Sequence, residues 1–243
     1  MPRILTYNVH RCVGNDRRLD VARVADVIAK LNPDIVALQE LDVGRARTGH
    51  VDQANEIAAQ LDMTFHFHAA LKVEKELYGD AILTAYPERL IQVGPLPGHP
   101  RIGQLEPRGA LWVEVDFDGR PVQIVNTHLG LVPREQQIQA ASLAGPAWMA
   151  HPRCRQPSIL LGDFNATGTS VVYRTLTQNL QPARQLAEKR SPSSTFPSQL
   201  PVLRIDHLFV SGGIKVLDVF APFDAGTRLA SDHLPLVMDF ELT

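Results

Sequence analysis

The sequence predicts two β-sheets packed face to face and flanked by helices. Short strand-like runs fall into two strand-rich stretches, amphipathic helical segments are interspersed among them, and no composition break marks a linker. A chain of 243 residues can bury one large core, so residues 1–243 are expected to form a single domain. Its 44% hydrophobic and 21% charged residues are those of a soluble globular protein and exclude extended disorder.

The elements follow in order. "RILTYNV" at the start reads as a strand. In "RLDVARVADVIAKLNPD", Val21, Val24, Ile28 and Leu31 recur at helical spacing, with Asp20 as N-cap and an end before Pro33. "DIVALQE" is a strand and "QANEIAAQL" a helix, followed by strand candidates "TFHFHAA", "AILTAY", "LIQVG", "ALWVEVDF" and "PVQIVNTHL". Asp118-Gly119 separates the last two as a hairpin turn and predicts antiparallel neighbours. A helix over "REQQIQAASLAGPAWM" precedes the strand opening "SILLGDFNA", and a shorter one fits "SVVYRTLTQNL". Residues 181–204, rich in Pro, Ser and Gln and without a clear period, are expected to form a surface loop. Strands return in "RIDHLFV", "IKVLDVF" and "HLPLVMDFEL".

Composition narrows the function. A formal net charge of -2 argues against coating nucleic acid through its phosphates, although it permits a local basic cleft. Cys12 and Cys154 match neither a disulfide framework nor a CxxC metal site and read as reduced thiols. Strand-like sequence begins almost at Met1, without an apolar leader, and no apolar span reaches about 20 residues. The expectation is a cytoplasmic monomer without a transmembrane segment.

Polar residues gather where apolar runs stop. "ILTYN" ends at Asn8, "IVALQE" at Glu40, "VQIVNTH" at Asn126 and His128, and "ILLGDFNA" at Asp163 and Asn165. "RID" presents Asp206, and "SDHLPL" presents Asp232 and His233. Singly, each has a bland explanation: an Asx turn at Asp163 or Asn165, a turn cap at Asn8, an ion pair of Glu40 with Arg45, a core position for His128. Together they predict convergence on one rim. Glu40, Asp163 and Asp232 are hard oxygen donors suited to Mg²⁺ or Mn²⁺, and histidines beside carboxylates can contact phosphate or move protons near neutral pH. That set points to metal-assisted phosphoester hydrolysis.

The motifs "TYNVH", "ALQELD", "GDAILT", "NTHLG", "GDFNA", "RIDHLFVS" and "SDHLPL", in this order across nearly the whole chain, resemble the endonuclease/exonuclease/phosphatase superfamily of metal-dependent phosphodiesterases. The resemblance implies an α/β (α+β) fold, a four-layer α/β/β/α sandwich with two mostly antiparallel sheets. It implies Glu40 as principal ligand of Mg²⁺ or Mn²⁺ with Asn8 and Asp232 nearby, and Asp163 and Asn165 as the pair that orients water and binds phosphate. It further implies phosphate contacts from His233, backed by Asp206, and from His128. Arg108, Asn126 and His207 are candidate substrate-binding residues, with an ion pair to Glu106 as the other reading of Arg108 and packing as the other reading of His207. Family relatives often carry Asn where Asp80 stands, and a glutamate that pairs with the histidine of "NTH", for which Glu76 is the nearest candidate. The implied activity is hydrolysis of a phosphodiester, in nucleic acid or in a small molecule or lipid. A phosphatase, a phospholipid phosphodiesterase or a non-catalytic binding module on the same fold are the alternatives.

Overall fold

The computed structural model describes residues 1–243. One six-stranded sheet contains β1 (Arg3–Asn8), β2 (Ile35–Val43), β3 (Thr64–Val73), β4 (Glu76–Thr84), β11 (Ile214–Phe220) and β12 (Leu236–Leu242), in the order β11-β12-β1-β2-β4-β3. The other contains β5 (Glu88–Pro95), β6 (Gly109–Phe117), β7 (Arg120–His128), β8 (Ser158–Asp163), β9 (Gln181–Pro182) and β10 (Asp206–Val210), in the order β5-β6-β7-β8-β10-β9. Only β1–β2 and β7–β8 pair in parallel, so both sheets are mixed and mostly antiparallel. The helices are α1 (Val21–Leu31), α2 (Gln53–Leu61), α3 (Pro133–Ala144), α4 (Val171–Leu176), α5 (Ala183–Leu186) and α6 (Ala225–Ala230).

Three apolar layers separate four layers of structure. Ile4, Ala37, Ile82, Leu111, Ile124 and Ile159 fill the space between the sheets. The outer face of the first sheet packs Leu5, Tyr7, Val36 and Leu38 against Val24 and Ile28 of α1 and Ile57 of α2. The second sheet packs Trp112, Val125 and Leu160 against Leu143 of α3 and Leu176 of α4. Strand periodicity of two makes this sandwich: successive residues serve the inner and outer layers in turn. No helix is long and apolar enough to cross a membrane.

The local signals acted largely as their chemistry dictates. The carboxylate of Asp20 accepts from the Arg23 backbone N–H and Asn32 closes α1 at φ 47°, while Asp118 and Gly119 turn the β6–β7 hairpin at φ 54° and 84°. Two helices are shorter than expected: α3 stops at Ala144, before Gly145 and Pro146, and α4 ends at Leu176. α6 was not foreseen, although Asp224 and Thr227 form a reciprocal capping box that marks its start. Residues 181–204 are not simply a surface loop. They contain β9 and α5, and Ser193, Thr195 and Ser198 are buried, with Ser198 N–H donating to the Asp232 carbonyl and Leu234 N–H to the Thr195 carbonyl.

Gly162 is where the second sheet is tightest. It lies opposite Thr127 on the parallel β7–β8 pair at φ 146°, and a Cβ there would sit 1.8 Å from the Thr127 carbonyl oxygen. Gly162→Ala must therefore move backbone in the middle of the sheet. The expected cost is about 2–4 kcal/mol, seen as a fall in Tm of roughly 5–15 °C by circular dichroism.

Candidate active site

The alternation that fills the core also builds the site. On β1 the inward positions run Ile4, Thr6, Asn8; on β7 Ile124, Asn126, His128; on β8 Ile159, Leu161, Asp163; and on β10, read backwards, Val210, Leu208, Asp206. Each inward apolar row thus ends in a polar side chain at the same edge of the sandwich. Glu40 reaches this edge by another route: β2 continues to Val43, and Gln39 and Glu40 oppose the single residue Asp80 in a bulge. Glu40 takes φ 61° there, and the extra residue returns Leu41 to the outer core.

Asp163 is the centre of the cluster. Its Oδ2 accepts from Asn8 Nδ2 at 3.0 Å and lies 3.6 Å from the Nε2 atoms of both His128 and His233. Its Oδ1 accepts from the Asn165 N–H at 2.8 Å, an Asx turn, so the local turn and the site use the same carboxylate. Asn165, at φ 48°, donates through Nδ2 to the Leu129 carbonyl and rests against His128. Burial, and next the charge of Asp206, raise the Asp163 carboxyl well above its ordinary 3.8, against the opposing pull of His233, Asn8 and the Asn165 N–H.

The two histidines are in opposite states. His233 Nδ1 bonds Asp206 Oδ2 at 2.9 Å, and the Thr195 hydroxyl donates to the same oxygen at 2.5 Å. Burial disfavours the imidazolium, but Asp206, with smaller help from Asp163 and Asp232, outweighs it and raises the His233 pKa to about 10. His128 is buried too, and there burial, Arg108 and His233 all push its pKa well below the ordinary value. Arg108 Nη1 lies 2.9 Å from His128 Nδ1. A guanidinium only donates, and the Asn165 amide Nδ2, also a donor, lies 3.1 Å from Nε2, so both ring nitrogens face donors and neither neighbour supports the imidazolium.

The remaining expected residues separate. Arg108 makes the ion pair with Glu106 at 3.0 Å, the second of its two readings, and also meets His128. Glu76 does not pair with His128; it accepts from the Ala46 N–H and pairs with Arg45, and Arg108 stands in its place. Glu40 is not Arg45's partner, since Arg45 goes to Asp42 and Glu76. Asn126 is withdrawn from any substrate: fully buried, it donates to the Leu38 and Ala81 carbonyls at 2.9 Å and accepts from Gln39 at 2.7 Å. His207 points to the other face of β10, bonds the Ala166 carbonyl and packs against Phe164 and Tyr173. Asn8 presents Nδ2 to Glu40 and Asp163, while its Oδ1 accepts from the His10 N–H, so it joins the two carboxylates rather than offering them an oxygen. Sequence reasoning missed His10 and Arg11, which line the cleft, and Thr195, which anchors Asp206; none of them terminates a strand.

A cleft of about 350 Å³ opens here, lined by Glu40, Asp232, His10, Arg11, Arg47 and Arg108 among others. Its donor chemistry suits a hard divalent cation. Glu40 and Asp232 share the cleft, and the Asp80 carboxyl, in register with the bulge, is raised to about 7 because burial and the nearby Glu40 and Asp163 outweigh Arg108 and a backbone hydrogen bond from Glu40. Asp163, Asp206 and His233 also lie within 4.8 Å of one another. Their facing atoms are already bonded to each other, to Thr195 and to Asn8, which fits a proton-bearing relay better than a cation cage.

Removing the charge on Asp206 tests that relay. In Asp206→Asn, His233 loses its main support, and its pKa falls from about 10 in metal-free protein followed by NMR. Because the raised pKa stabilises the fold below the unfolded histidine value and loses that contribution as pH rises through about 10, the variant is also less stable at neutral pH. An unchanged titration would reduce Asp206 to a structural residue.

Comparison with known proteins fits the geometry. The chain is 26% identical over 251 residues to the Escherichia coli K12 protein YbhP, itself uncharacterized, covering 99% of this chain and 96% of YbhP. A solved endonuclease/exonuclease/phosphatase structure from Beutenbergia cavernae superposes with a TM-score of 0.81 at 25% identity, over 99% of this chain and 71% of that one. A mannosyl-6-phosphatase from Bacteroides thetaiotaomicron shares the fold with a TM-score of 0.72 at 19% identity, over 100% of both chains. With its family model matched across residues 5–233, the chain belongs to the endonuclease/exonuclease/phosphatase family.

Proposed function

We propose that the protein is a Mg²⁺- or Mn²⁺-dependent hydrolase of phosphodiester bonds, acting by in-line attack of water. The observation that carries this reading is Asp163 Oδ2 placed 3.6 Å from the Nε2 atoms of His128 and His233, with Asp206 bonded behind His233 and Arg108 behind His128. Asp163, with its carboxyl raised toward neutrality, is the group that accepts the proton of a water positioned with Asn165. His233 meets the non-bridging phosphate oxygens as a cation, and Asp206 keeps it charged and oriented. His128, kept uncharged between Arg108 at Nδ1 and the Asn165 amide at Nε2, stands beside Asp163 next to the same group. Glu40 and Asp232 are the residues that would hold the divalent ion, which when bound neutralises charge on the phosphate and the leaving oxygen. Asn8 donates to both Glu40 and Asp163, tying the cation-holding side of the site to the water-positioning side.

The substrate is a small phosphodiester rather than a long nucleic acid. The formal net charge is -2, and the arginines of the catalytic cleft are largely engaged, Arg47 by Asp42, Arg108 by Glu106 and His128, and Arg11 by His10.

Excess chelator is expected to abolish hydrolysis of bis-p-nitrophenyl phosphate, and Mg²⁺ or Mn²⁺ to restore it; full activity in chelator would overturn the metal requirement. Asp163→Asn and His233→Ala are each expected to lower kcat by roughly 10² or more without loss of folding, measured on the same ester and by circular dichroism. Wild-type rates in both would mean that the chemistry lies elsewhere.

A further inference from the structure

The turn that follows β1 is strained. His10, Arg11 and Cys12 take φ 46°, 56° and 56°, three successive residues with side chains in the left-handed region. Four hydrogen bonds hold them there. The His10 N–H donates to Asn8 Oδ1 at 3.0 Å, the Cys12 N–H to the Val9 carbonyl at 2.8 Å and the Val13 N–H to the His10 carbonyl at 3.0 Å, while the fully buried Gln53 donates from Nε2 to the Arg11 carbonyl at 2.7 Å. Gln53 Oε1 in turn accepts from the Asp42 N–H at 2.9 Å, which sets the turn against β2 beside the Glu40 bulge. Backbone strain that its surroundings over-determine in this way points to what the strained residues present. Here they present His10 and Arg11 to the catalytic cleft.

Arg11 Nη2 lies 2.6 Å from His10 Nε2, and His10 Nδ1 lies 3.7 Å from Asp232 Oδ1. A guanidinium only donates, so the ring accepts at Nε2 and steadies the fork from one side. No acid neutralises Arg11. Arg47 pairs with Asp42 and Arg108 with Glu106, whereas Arg11 makes no ion pair, and its Nε is buried without a hydrogen-bonding partner. The acidic residues of the cleft are Glu40, Glu106 and Asp232; Glu106 balances Arg108, and Glu40 and Asp232 together balance one divalent ion. The half-buried guanidinium of Arg11 is then a single positive charge in excess, in a cavity of about 350 Å³. A phosphodiester carries one negative charge, and a free guanidinium fork matches two phosphate oxygens.

We infer that Arg11 is a substrate-binding residue whose guanidinium meets the non-bridging oxygens of the phosphodiester on the side of the cleft that Asp232 lines, with His10 as the positioning residue that aims it. The inference rests on the phosphodiesterase reading for its effect on turnover, but the anion contact itself does not.

Measurements on the full chain with Mg²⁺ present test it. Calorimetric titration with inorganic phosphate is expected to show binding that weakens by about tenfold or more in Arg11→Gln, and by less in Arg11→Lys, which keeps the charge and loses the fork. On bis-p-nitrophenyl phosphate, Arg11→Gln is expected to lower kcat/KM by about tenfold or more, chiefly through KM. Mn²⁺ affinity, read from the electron paramagnetic resonance of the free ion, and Tm are expected not to fall, because the hydrogen bonds that hold the turn do not use the Arg11 side chain. His10→Ala is expected to weaken phosphate binding as well, and to add nothing in the Arg11→Gln background; additive losses would deny His10 its positioning role. Equal phosphate affinity in wild type and Arg11→Gln, or no phosphate binding by wild type, overturns the contact. A joint loss of Mn²⁺ affinity and Tm in Arg11→Gln overturns it too, since Arg11 would then be a brace for the turn behind Asp232. Unchanged kcat/KM despite weakened phosphate binding overturns its role toward the ester. Arginine-dependent phosphate binding without hydrolysis of the ester by wild type supports the contact and counts against the phosphodiesterase reading instead.

Discussion

The site depends on a buried polar tie between the two sheets. Asn126, fully buried on the second sheet, donates to the Leu38 and Ala81 carbonyls of the first and accepts from Gln39, which also bonds Thr6. Apolar layers resist separation, and their interdigitated side chains resist sliding through shape alone. Directed hydrogen bonds add to this: leaving one member of a buried amide set unpaired costs about 1–3 kcal/mol. The tie therefore fixes the sheets against each other one step below the rim. Asn8 then meets Asp163 across the sandwich at 3.0 Å, although they come from different sheets and lie 155 residues apart in sequence.

What could be read in the sequence was what period two controls. Asn8, His128, Asp163 and Asp206 each sit at the inward end of an apolar alternation, so their convergence was visible once several strands were compared. Asn126 obeyed the same pattern and misled for that reason: one position deeper, an inward polar residue is a tie between sheets, and the strand sequence carries no mark of depth. Glu40 reaches the rim through a bulge, and the run "ALQELD" does not announce where the extra residue falls. Residues 181–204 have no period because their order comes from distant partners: Asn15 bonds Ser198, and the Leu234 N–H bonds the Thr195 carbonyl. Composition can mark such a segment as irregular, but not as buried.

The pairing of His128 shows how far a motif fixes a role. "NTHLG" places the ring correctly, at the inward end of β7, yet its charge state is decided by what meets Nδ1. A carboxylate there favours the imidazolium, as Asp206 does for His233; a guanidinium disfavours it, as Arg108 does for His128. The site consequently holds one cationic and one neutral imidazole around a single carboxylate. Asp163 would be weakened as a base if both rings were charged, because two imidazolium groups would hold it ionised far below neutral pH.

Alternation on β10 gives adjacent residues opposite faces. Asp206 points inward to His233, and His207 points outward to Phe164 and Tyr173. A strand cannot slip by one residue without exchanging these faces, and the pairing of Asp206 opposite Asp163 and His207 opposite Gly162 fixes the register. Gly162 cannot accept a side chain beside Thr127, so the position that locks β8 to β7 also lies opposite His207. A change that shifts β10 therefore disturbs the carboxylate behind His233 together with the packing of His207 against Phe164 and Tyr173, so the electrostatics of the site depend on the register of this one strand.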